Sequence, residues 1–202
     1  MVRKLLIATR NKQKKRELQA ILTGWDVQLL SLDDIAAIPE IIEDGATFAE
    51  NAIKKARITA DLSGCITLAD DSGLEVEALG GAPGIFSARF AGLQADDEAN
   101  NRKILYLLKD VGEDKRTARF VCVIAVAVPN GEVYTVRGIC EGKIADRSQG
   151  QGGFGYDPLF IPQGFSRTFA ELEEEDKNQI SHRGQALLQV LPLLRSILDA
   201  GD

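Results

Sequence analysis

The sequence contains few of the residues that build disulfide frameworks and zinc clusters. It has three cysteines and a single histidine among its 202 residues. The cysteines, Cys65, Cys122 and Cys140, are odd in number and widely spaced, and they match no zinc or disulfide pattern. We therefore interpret them as ordinary core residues of a protein in a reducing compartment, which predicts a cytoplasmic location.

Long apolar runs and excess positive charge are also lacking. No stretch approaches the roughly 20 apolar residues of a membrane-spanning helix, and the opening residues lack the apolar length and cleavage site of a signal peptide. The 24 Lys and Arg residues are outnumbered by 30 Asp and Glu residues, giving a formal net charge of -6. We therefore expect neither nucleic acid nor a membrane as a partner, although a local basic pocket is compatible with this charge.

The apolar residues, 45% of the chain, are sufficient for one well-buried core. We predict a single domain over residues 1–202, with two lobes around a central cleft. Apolar runs alternate with helical patterns early in the chain, and a later Pro-Asn-Gly turn joins two apolar runs as a hairpin. This order predicts an α/β fold in which helices flank a mixed, twisted sheet. The predicted strands are residues 2–8, 27–30, 65–69, 120–128, 133–140 and 158–162, and the predicted helices are about residues 11–22, 47–62, 96–108 and 181–198.

Two adjacent carboxylates follow an apolar stretch in the segment LADDSG. Ordinary packing gives no reason to end a buried strand on Asp70 and Asp71, and ligands gather at strand ends in open α/β sheets. Neighbouring carboxylates repel unless positive charge lies beside them, and a divalent cation such as Mg²⁺ supplies it most simply. A carboxylate that the metal leaves partly unused could take a proton from water. The alternative is an Asp-Ser-Gly turn, which does not account for Asp70.

The segment TRNKQK could bind phosphate. It joins the first predicted strand to a helix, where free N–H groups and the positive end of the helix dipole suit an anion. Thr9 and Asn11 can donate from their side chains, and Lys14 adds a full charge one turn later. The alternative is a capped surface helix with its lysines in water.

A second basic segment follows Glu43. Thr47 and Glu50 form an S/T-x-x-E capping box at the start of a predicted helix. On that helix Asn51 and Lys55 are four residues apart, so they share one face. Glu50 and Lys54 are also four residues apart and could form an ordinary surface ion pair, although the capping box already accounts for Glu50.

The segment GQGGFGYDP contains the pattern G-x-G-x-x-G at residues 150–155. A dinucleotide site would need a helix directly after this pattern, but the residue before Pro158 avoids helical geometry, so we reject that interpretation. A glycine loop that presents Phe154 and Asp157 suits a flat ring better. Phe154 could stack on a base, and Asp157 or backbone groups could hydrogen-bond to its edge.

The segment KNQISHRG holds His182, which lies next to Arg183 and directly after Ser181, a natural N-cap. Lys177 lies five residues before it. A lone histidine is as often structural as functional, but beside Arg183 at a helix start it fits a polar recognition site. Taken together, two lysine segments, a carboxylate metal site and an aromatic glycine loop describe a site for a nucleoside triphosphate.

These segments resemble the corresponding motifs of the inosine-triphosphate pyrophosphatase family, which acts on non-canonical purine nucleoside triphosphates. The matching segments lie in the family order and span nearly the whole chain: IATRNKQKKRELQAIL, EDGATFAENAIKKA, LADDSGLEVEALGGAPGIFSARFAG, GGFGYDPLF and ISHRGQAL. The resemblance implies an elongated α/β fold, a homodimer and a cleft between two lobes. It also implies Mg²⁺-assisted hydrolysis of ITP, dITP and XTP to the monophosphate and pyrophosphate, which keeps deaminated purines out of DNA and RNA.

The resemblance also implies roles for individual residues. Asp71 would be the general base, and Asp71 and Glu43 would hold the metal, although the loop around Glu43 differs among family members. Arg10 and Gln13 stand where relatives often have small residues. The implied substrate-binding residues are Thr9, Arg10, Asn11, Lys12, Gln13, Lys14, Lys55, Ser72, Phe154, Gly155, Tyr156, Asp157, Lys177, His182 and Arg183.

Two other functions remain open at this stage. One is a nucleotide pyrophosphatase that acts on modified pyrimidines or on the standard deoxynucleoside triphosphates. The other is a non-catalytic sensor that binds ITP and releases no pyrophosphate, and the presence of both Asp70 and Asp71 weighs against it.

Overall fold

A computed structural model describes residues 3–35, 38–93 and 96–199. The strands are β1 (Arg3–Ile7), β2 (Val27–Ser31), β3 (Ile66–Val76), β4 (Thr117–Ala127), β5 (Val133–Ile144) and β6 (Phe160–Pro162). The helices are α1 (Lys12–Ile21), α2 (Phe48–Ser63), α3 (Asp97–Leu107), α4 (Glu174–Ile180) and α5 (His182–Asp199). None of the helices in these ranges is long and apolar enough to cross a membrane.

The six strands form one mixed sheet in the order β2-β1-β3-β4-β5-β6. Strand β1 pairs in parallel with both β2 and β3, with Leu6 opposite Leu30 and Thr67, whereas β6 pairs antiparallel with β5. The turn between β4 and β5 is closed by a hydrogen bond from the Val128 N–H to the Glu132 carbonyl. The predicted mixed α/β fold is therefore confirmed.

The chain divides into two compact units. The first contains Met1–Asp71, Val123–Arg137 and Ala186–Asp202, and the second contains Ser72–Cys122 and Gly138–Gln185. Leu5, Leu6 and Leu18 are fully buried in the first unit. In the second unit, Phe120, Phe160 and Phe169 pack against one another with ring centroids 4.7 to 6.0 Å apart. Each unit thus has an apolar core of its own.

Strand β3 differs most from its prediction. The predicted strand stops at Ala69 before the acidic pair, but β3 continues through Asp70, Asp71, Ser72 and Gly73 to Val76. The prediction that Asp70 and Asp71 end a strand is therefore wrong, and so is the alternative of an Asp-Ser-Gly turn. Leu74 and Val76 are fully buried, so apolar burial beyond the polar residues holds the extended conformation there.

The ends of α2 follow the predicted pattern. The Thr47 side chain accepts a hydrogen bond from the Glu50 N–H at 3.1 Å, and Gly64 ends the helix in the left-handed conformation with φ 66°. The Glu50 carboxylate reaches back to the Ala46 N–H at 2.7 Å, one residue earlier than in the standard capping box. Helix α2 is therefore fixed at both ends by local contacts.

Replacing Thr47 tests this cap. We expect Thr47→Ala to lower the free energy of unfolding by about 1 kcal/mol, because the Glu50 N–H loses its acceptor. Thr47→Ser retains the hydroxyl and is the matched control, so its stability should stay near that of the wild type. Denaturant unfolding measures both variants, and equal stability of Thr47→Ala and the wild type would contradict the role of the cap.

Candidate active site

Asp70 and Asp71 lie within β3 and are both buried, with 5% and 8% of their surface exposed. Successive side chains of a strand face opposite sides of the sheet, so the two carboxylates diverge instead of crowding together. The Asp70 carboxylate pairs with the Lys14 ammonium of α1 at 2.7 Å. The Asp71 carboxylate accepts a hydrogen bond from Asn51 Nδ2 of α2 at 3.0 Å. Each buried acid therefore has its own partner from a different helix.

Lys55 connects the loop before α2 to strand β3. Its ammonium pairs with the Glu43 carboxylate at 2.7 Å and donates to the backbone carbonyl of Asp70 at 2.6 Å. Burial by itself would lower the pKa of Lys55, but the negative charges of Asp70, Glu43 and Asp71 outweigh burial and raise the pKa. Lys55 is therefore a firmly protonated cation. We refer to Lys14, Glu43, Asn51, Lys55, Asp70 and Asp71 as the carboxylate–lysine cluster.

The Asp71 carboxyl has a raised pKa. Burial raises the pKa of its carboxyl, and the charges of Glu43 and Asp70 push it in the same direction. The charge of Lys55 and the hydrogen bond from Asn51 oppose this increase without cancelling it. A carboxylate with a raised pKa is a stronger base than an exposed one, so Asp71 is suited to accept a proton.

Asn51 is a member of the cluster that the sequence placed on the face of Lys55 but did not identify as a site residue. Its Oδ1 accepts a hydrogen bond from the Gly45 N–H at 2.8 Å while its Nδ2 holds Asp71. A Cβ at position 45 would lie 2.8 Å from both Asn51 Oδ1 and Glu50 Cβ, which only glycine avoids. The loop before α2 therefore orients Asn51, and Asn51 orients Asp71.

The residues predicted to hold Mg²⁺ suit a site in which substrate phosphates supply some of the ligands better than one in which the protein supplies all of them. Within residues 3–35, 38–93 and 96–199, no group of three or more His, Cys, Asp or Glu side chains is arranged to hold a metal ion. Mg²⁺ commonly takes one or two carboxylates and fills its shell with waters and phosphate oxygens. Glu43 and Asp71 interact electrostatically across the cluster, and the unfavourable charge between them is what a cation would relieve. They are therefore suitable ligands for a cation that arrives with phosphate.

The loop before α1 is held by its own side chains. The Thr9 hydroxyl accepts a hydrogen bond from the Asn11 N–H at 3.1 Å, and Asn11 Oδ1 accepts one from the Lys14 N–H at 3.4 Å. Arg10 is more than half exposed, and its guanidinium lies 3.8 Å from the Asp33 carboxylate. The side chains of Lys12 and Gln13 lie outside the described part of the structure. The alternative of a capped surface helix is therefore right about the cap, which Asn11 provides. It is wrong about Lys14, which pairs with Asp70.

In the second unit, Asp157 organises the glycine loop, by which we mean residues 150–157. Its Oδ2 accepts hydrogen bonds from the Phe154 N–H at 2.8 Å and from the Lys177 ammonium at 2.6 Å. Burial raises the pKa of the Asp157 carboxyl, opposed by Lys177, the Phe154 N–H and Arg183. Because Asp157 Oδ2 is engaged within the protein, we assign it to shaping the loop.

Phe154 is the exposed aromatic ring of this loop. The Lys177 ammonium lies 5.1 Å and the Arg183 guanidinium carbon 5.5 Å from its ring centroid, within the range of cation–π contacts. Arg183 also donates to the Ser72 hydroxyl at 3.1 Å. The structure therefore brings Phe154, Lys177, Arg183 and Ser72 together, as a flat polar ligand would require.

Several predicted site residues of the second unit are buried, among them Arg183 and Asp157. His182 is buried, and its ring stacks on Phe120 at 4.7 Å with an interplanar angle of 11°. Tyr156 is buried too, and its hydroxyl donates to the Ser87 carbonyl at 2.8 Å. The predicted N-cap Ser181 is confirmed, since its hydroxyl accepts from the Gly184 N–H at 3.0 Å. The His182 and Tyr156 side chains thus contact the interior of the second unit, and their predicted role in substrate binding stays a prediction.

Comparison with known proteins identifies relatives over nearly the whole chain. Residues 5–193 match the model of the Ham1 family. A dITP/XTP pyrophosphatase of Desulforamulus reducens is 54% identical over 194 residues, which cover 96% of each chain. A dITP/XTP pyrophosphatase of Geobacter sulfurreducens is 53% identical over 184 residues, covering 91% of this chain and 92% of the relative.

Solved structures agree with these matches. A HAM1 protein from Coxiella burnetii superposes with a TM-score of 0.90 at 41% identity, covering 96% of this chain and 99% of that one. A nucleoside-triphosphatase, also titled dITP/XTP pyrophosphatase, from Mycobacterium abscessus has a TM-score of 0.79 at 46% identity, with 94% and 99% coverage. Sequence and fold therefore point to the same relatives.

Removing the Lys55 charge tests the electrostatics of the cluster. We expect Lys55→Met to raise the pKa of the Asp71 carboxyl further, because the positive charge that opposes its raised pKa is lost. A carboxyl-carbon NMR titration follows Asp71 directly. Lys54→Met removes the same charge from an exposed pair with Asp44 and should leave Asp71 unchanged. An unchanged or lower Asp71 pKa in Lys55→Met would contradict this account.

Proposed function

The chain belongs to the Ham1 family, and from that premise we propose that it hydrolyses ITP, dITP and XTP to the nucleoside monophosphate and pyrophosphate. The observation that carries the proposal is the Asp71 carboxylate, which is buried on β3, has a raised pKa and lies near the fixed ammonium group of Lys55 from α2. A general base and preorganised cations are what phosphoric anhydride hydrolysis needs. The activity would remove deaminated purines from the nucleotide pool.

We assign the phosphates to the first unit. The side chains of Lys14 and Lys55 are 19% and 13% exposed, and both are held by carboxylates before any ligand binds. Cations fixed in advance stabilise developing phosphate charge without reorganising during the reaction. The ordered loop of Thr9 and Asn11 lies at the N-terminal end of α1, where the positive end of the helix dipole suits an anion.

We propose Mg²⁺ as the cofactor, held by Glu43 and Asp71 with the phosphates of the substrate. When bound, it would neutralise phosphate charge and favour departure of pyrophosphate. The chemistry of the chain itself centres on Asp71. One of its oxygens accepts a proton from a water molecule, and the water oxygen forms a bond to the α-phosphorus. The bond from that phosphorus to the bridging oxygen breaks, and pyrophosphate leaves with the electron pair.

We assign the base to the second unit. Phe154 offers an exposed ring for stacking, and Lys177 and Arg183 beside it are hydrogen-bond donors without acceptor atoms. Hypoxanthine and xanthine carry a carbonyl oxygen at position six, which such donors can satisfy. Adenine carries an amine there, whose hydrogens would lack a partner at a cost of roughly 1–3 kcal/mol. Guanine shares the carbonyl, so its two-amino group must be rejected separately, for which we propose crowding.

The homodimer and the cytoplasmic location also remain proposals. The homodimer rests on the family resemblance, and the location rests on the cysteine pattern of the sequence. Neither is needed for the chemistry assigned to Asp71.

A panel of nucleoside triphosphates tests the substrate class. We expect pyrophosphate release from ITP, dITP and XTP to exceed release from dATP, dGTP and dTTP by at least about tenfold in kcat/KM, as one unpaired polar group would give. The panel is measured with and without Mg²⁺. Equal rates for dGTP and dITP would refute the specificity, and binding of ITP without pyrophosphate release would favour the sensor.

Replacing each acid of the pair tests which carboxylate is the base. Asp71→Asn should retain nucleotide binding and lower kcat by about 10²–10⁴, the usual contribution of a general base. Asp70→Asn releases Lys14 from its ion pair, so we expect mainly a change in KM. Asp110→Asn, an exposed acid far from β3 in sequence, is the control and should resemble the wild type. Normal turnover by Asp71→Asn would exclude it as the base.

A further inference from the structure

Two side chains of α3 hold the backbone of Gly155 from both sides. The Asp97 carboxylate accepts a hydrogen bond from the Gly155 N–H at 2.6 Å. Asn101 Nδ2 donates to the Gly155 carbonyl oxygen at 2.8 Å. Residues four apart on a helix share one face, so α3 presents an acceptor to the N–H and a donor to the carbonyl of the same residue. No motif of the sequence predicted this contact.

Asn101 is the buried member of this pair. Only 7% of its surface is exposed, whereas Asp97 is open to solvent. Its Oδ1 has no hydrogen-bond partner within residues 3–35, 38–93 and 96–199, so the bond to Gly155 is the polar contact that orients the amide. The Asn101 amide therefore has one favourable orientation, because the flipped amide would point Oδ1 at the Gly155 carbonyl oxygen.

Gly155 needs external support because of its own conformation. Its φ is 62°, in the left-handed region, and a Cβ there would meet no atom within 4 Å. Glycine is therefore used for its backbone freedom, and that freedom is lost on ordering at an entropic cost. The neighbouring Phe154 ring is 37% exposed.

We propose that Asp97 and Asn101 are positioning residues for the purine base: by clamping Gly155 they hold Phe154 in the place where the base stacks. This inference rests on the proposed function, since it concerns the same substrate. The clamp acts through the backbone, so its loss should weaken base binding while the carboxylate–lysine cluster keeps its chemistry. Neither residue touches the reacting phosphate in this account.

Variants of both residues, made in the full chain, test the clamp. Asp97→Ala removes the acceptor, and Asp97→Asn keeps an oxygen that can accept from Gly155 and should rescue. Asn101→Asp keeps the shape but turns an oxygen toward the Gly155 carbonyl. Glu98→Ala is the matched control, because Glu98 lies in the same helical turn, carries the same charge and contacts Arg102 on the same helix.

Two measurements separate a positioning role from a merely structural one. Amide hydrogen exchange of a peptide covering residues 153–157 should speed up about tenfold or more in Asp97→Ala and Asn101→Asp, as loss of one hydrogen bond predicts. With dITP, KM should rise about five- to tenfold in both variants while kcat stays within about twofold. Asp97→Asn and Glu98→Ala should match the wild type in both measurements.

Each result bears on the proposal. Unchanged exchange in both clamp variants would overturn the clamp, and faster exchange with unchanged KM would overturn its role in positioning the base. A fall in kcat without a change in KM would also overturn it. A wild-type protein that releases no pyrophosphate would overturn the proposed function instead, and the exchange measurement would still confirm or overturn the clamp, because it needs no substrate.

Discussion

The ion pair between Lys14 and Asp70, together with the contacts of Lys55 and Asn51 beside it, is the constraint on which the first unit depends. A buried carboxylate without a partner is strongly destabilising, and removing one member of a buried pair typically costs about 3–5 kcal/mol. Strand β3 carries two buried carboxylates in succession, Asp70 and Asp71. The chain satisfies them by bringing Lys14 from α1 and Asn51 from α2, so both helices are tied to the strand by charge and hydrogen bonding as well as by apolar packing.

This constraint leaves Asp71 with a different character from Asp70. Asp70 has a full positive charge at 2.7 Å, whereas Asp71 has an amide donor at 3.0 Å and its cation, Lys55, bonds to Glu43 and to a backbone carbonyl. The two acids are neighbours in sequence, yet one is neutralised and the other keeps a raised pKa. Environments that separate two carboxylates in this way are typical of acid–base sites. Under the proposed function, Asp70 would contribute stability and Asp71 reactivity.

Much of the fold could be predicted from sequence because the signals are local. The cap at Thr47, the stop at Gly64 and the turn before β5 each depend on a few consecutive residues. The extension of β3 could not be predicted in this way, because Asp-Ser-Gly has the composition of a turn. Only the burial of Leu74 and Val76 shows that the strand continues.

The candidate site shows the same division between local and distant signals. Residue types and spacing identified the lysines, the acids and Phe154, but not the pairing of Lys14 with Asp70, which are 56 positions apart. The clamp of Asp97 and Asn101 on Gly155 was invisible because its target is backbone, which leaves no pattern in the sequence. The packing of the single histidine could not be predicted for a related reason: its residue type does not show that the His182 ring stacks on Phe120, 62 positions earlier.

The charges of the second unit also explain how one loop could distinguish deaminated bases. Asp157 is the acid of the glycine loop, and its Oδ2 accepts bonds from the Phe154 N–H and Lys177. The charged side chains that remain beside the Phe154 ring, Lys177 and Arg183, can only donate hydrogen bonds. A surface of donors favours carbonyl oxygens, and deamination of a purine replaces an amino group with such an oxygen. Under the proposed function, engaging the acid within the loop would therefore have a chemical consequence, because an accessible carboxylate would accept a hydrogen bond from the amino group of adenine and weaken the proposed discrimination.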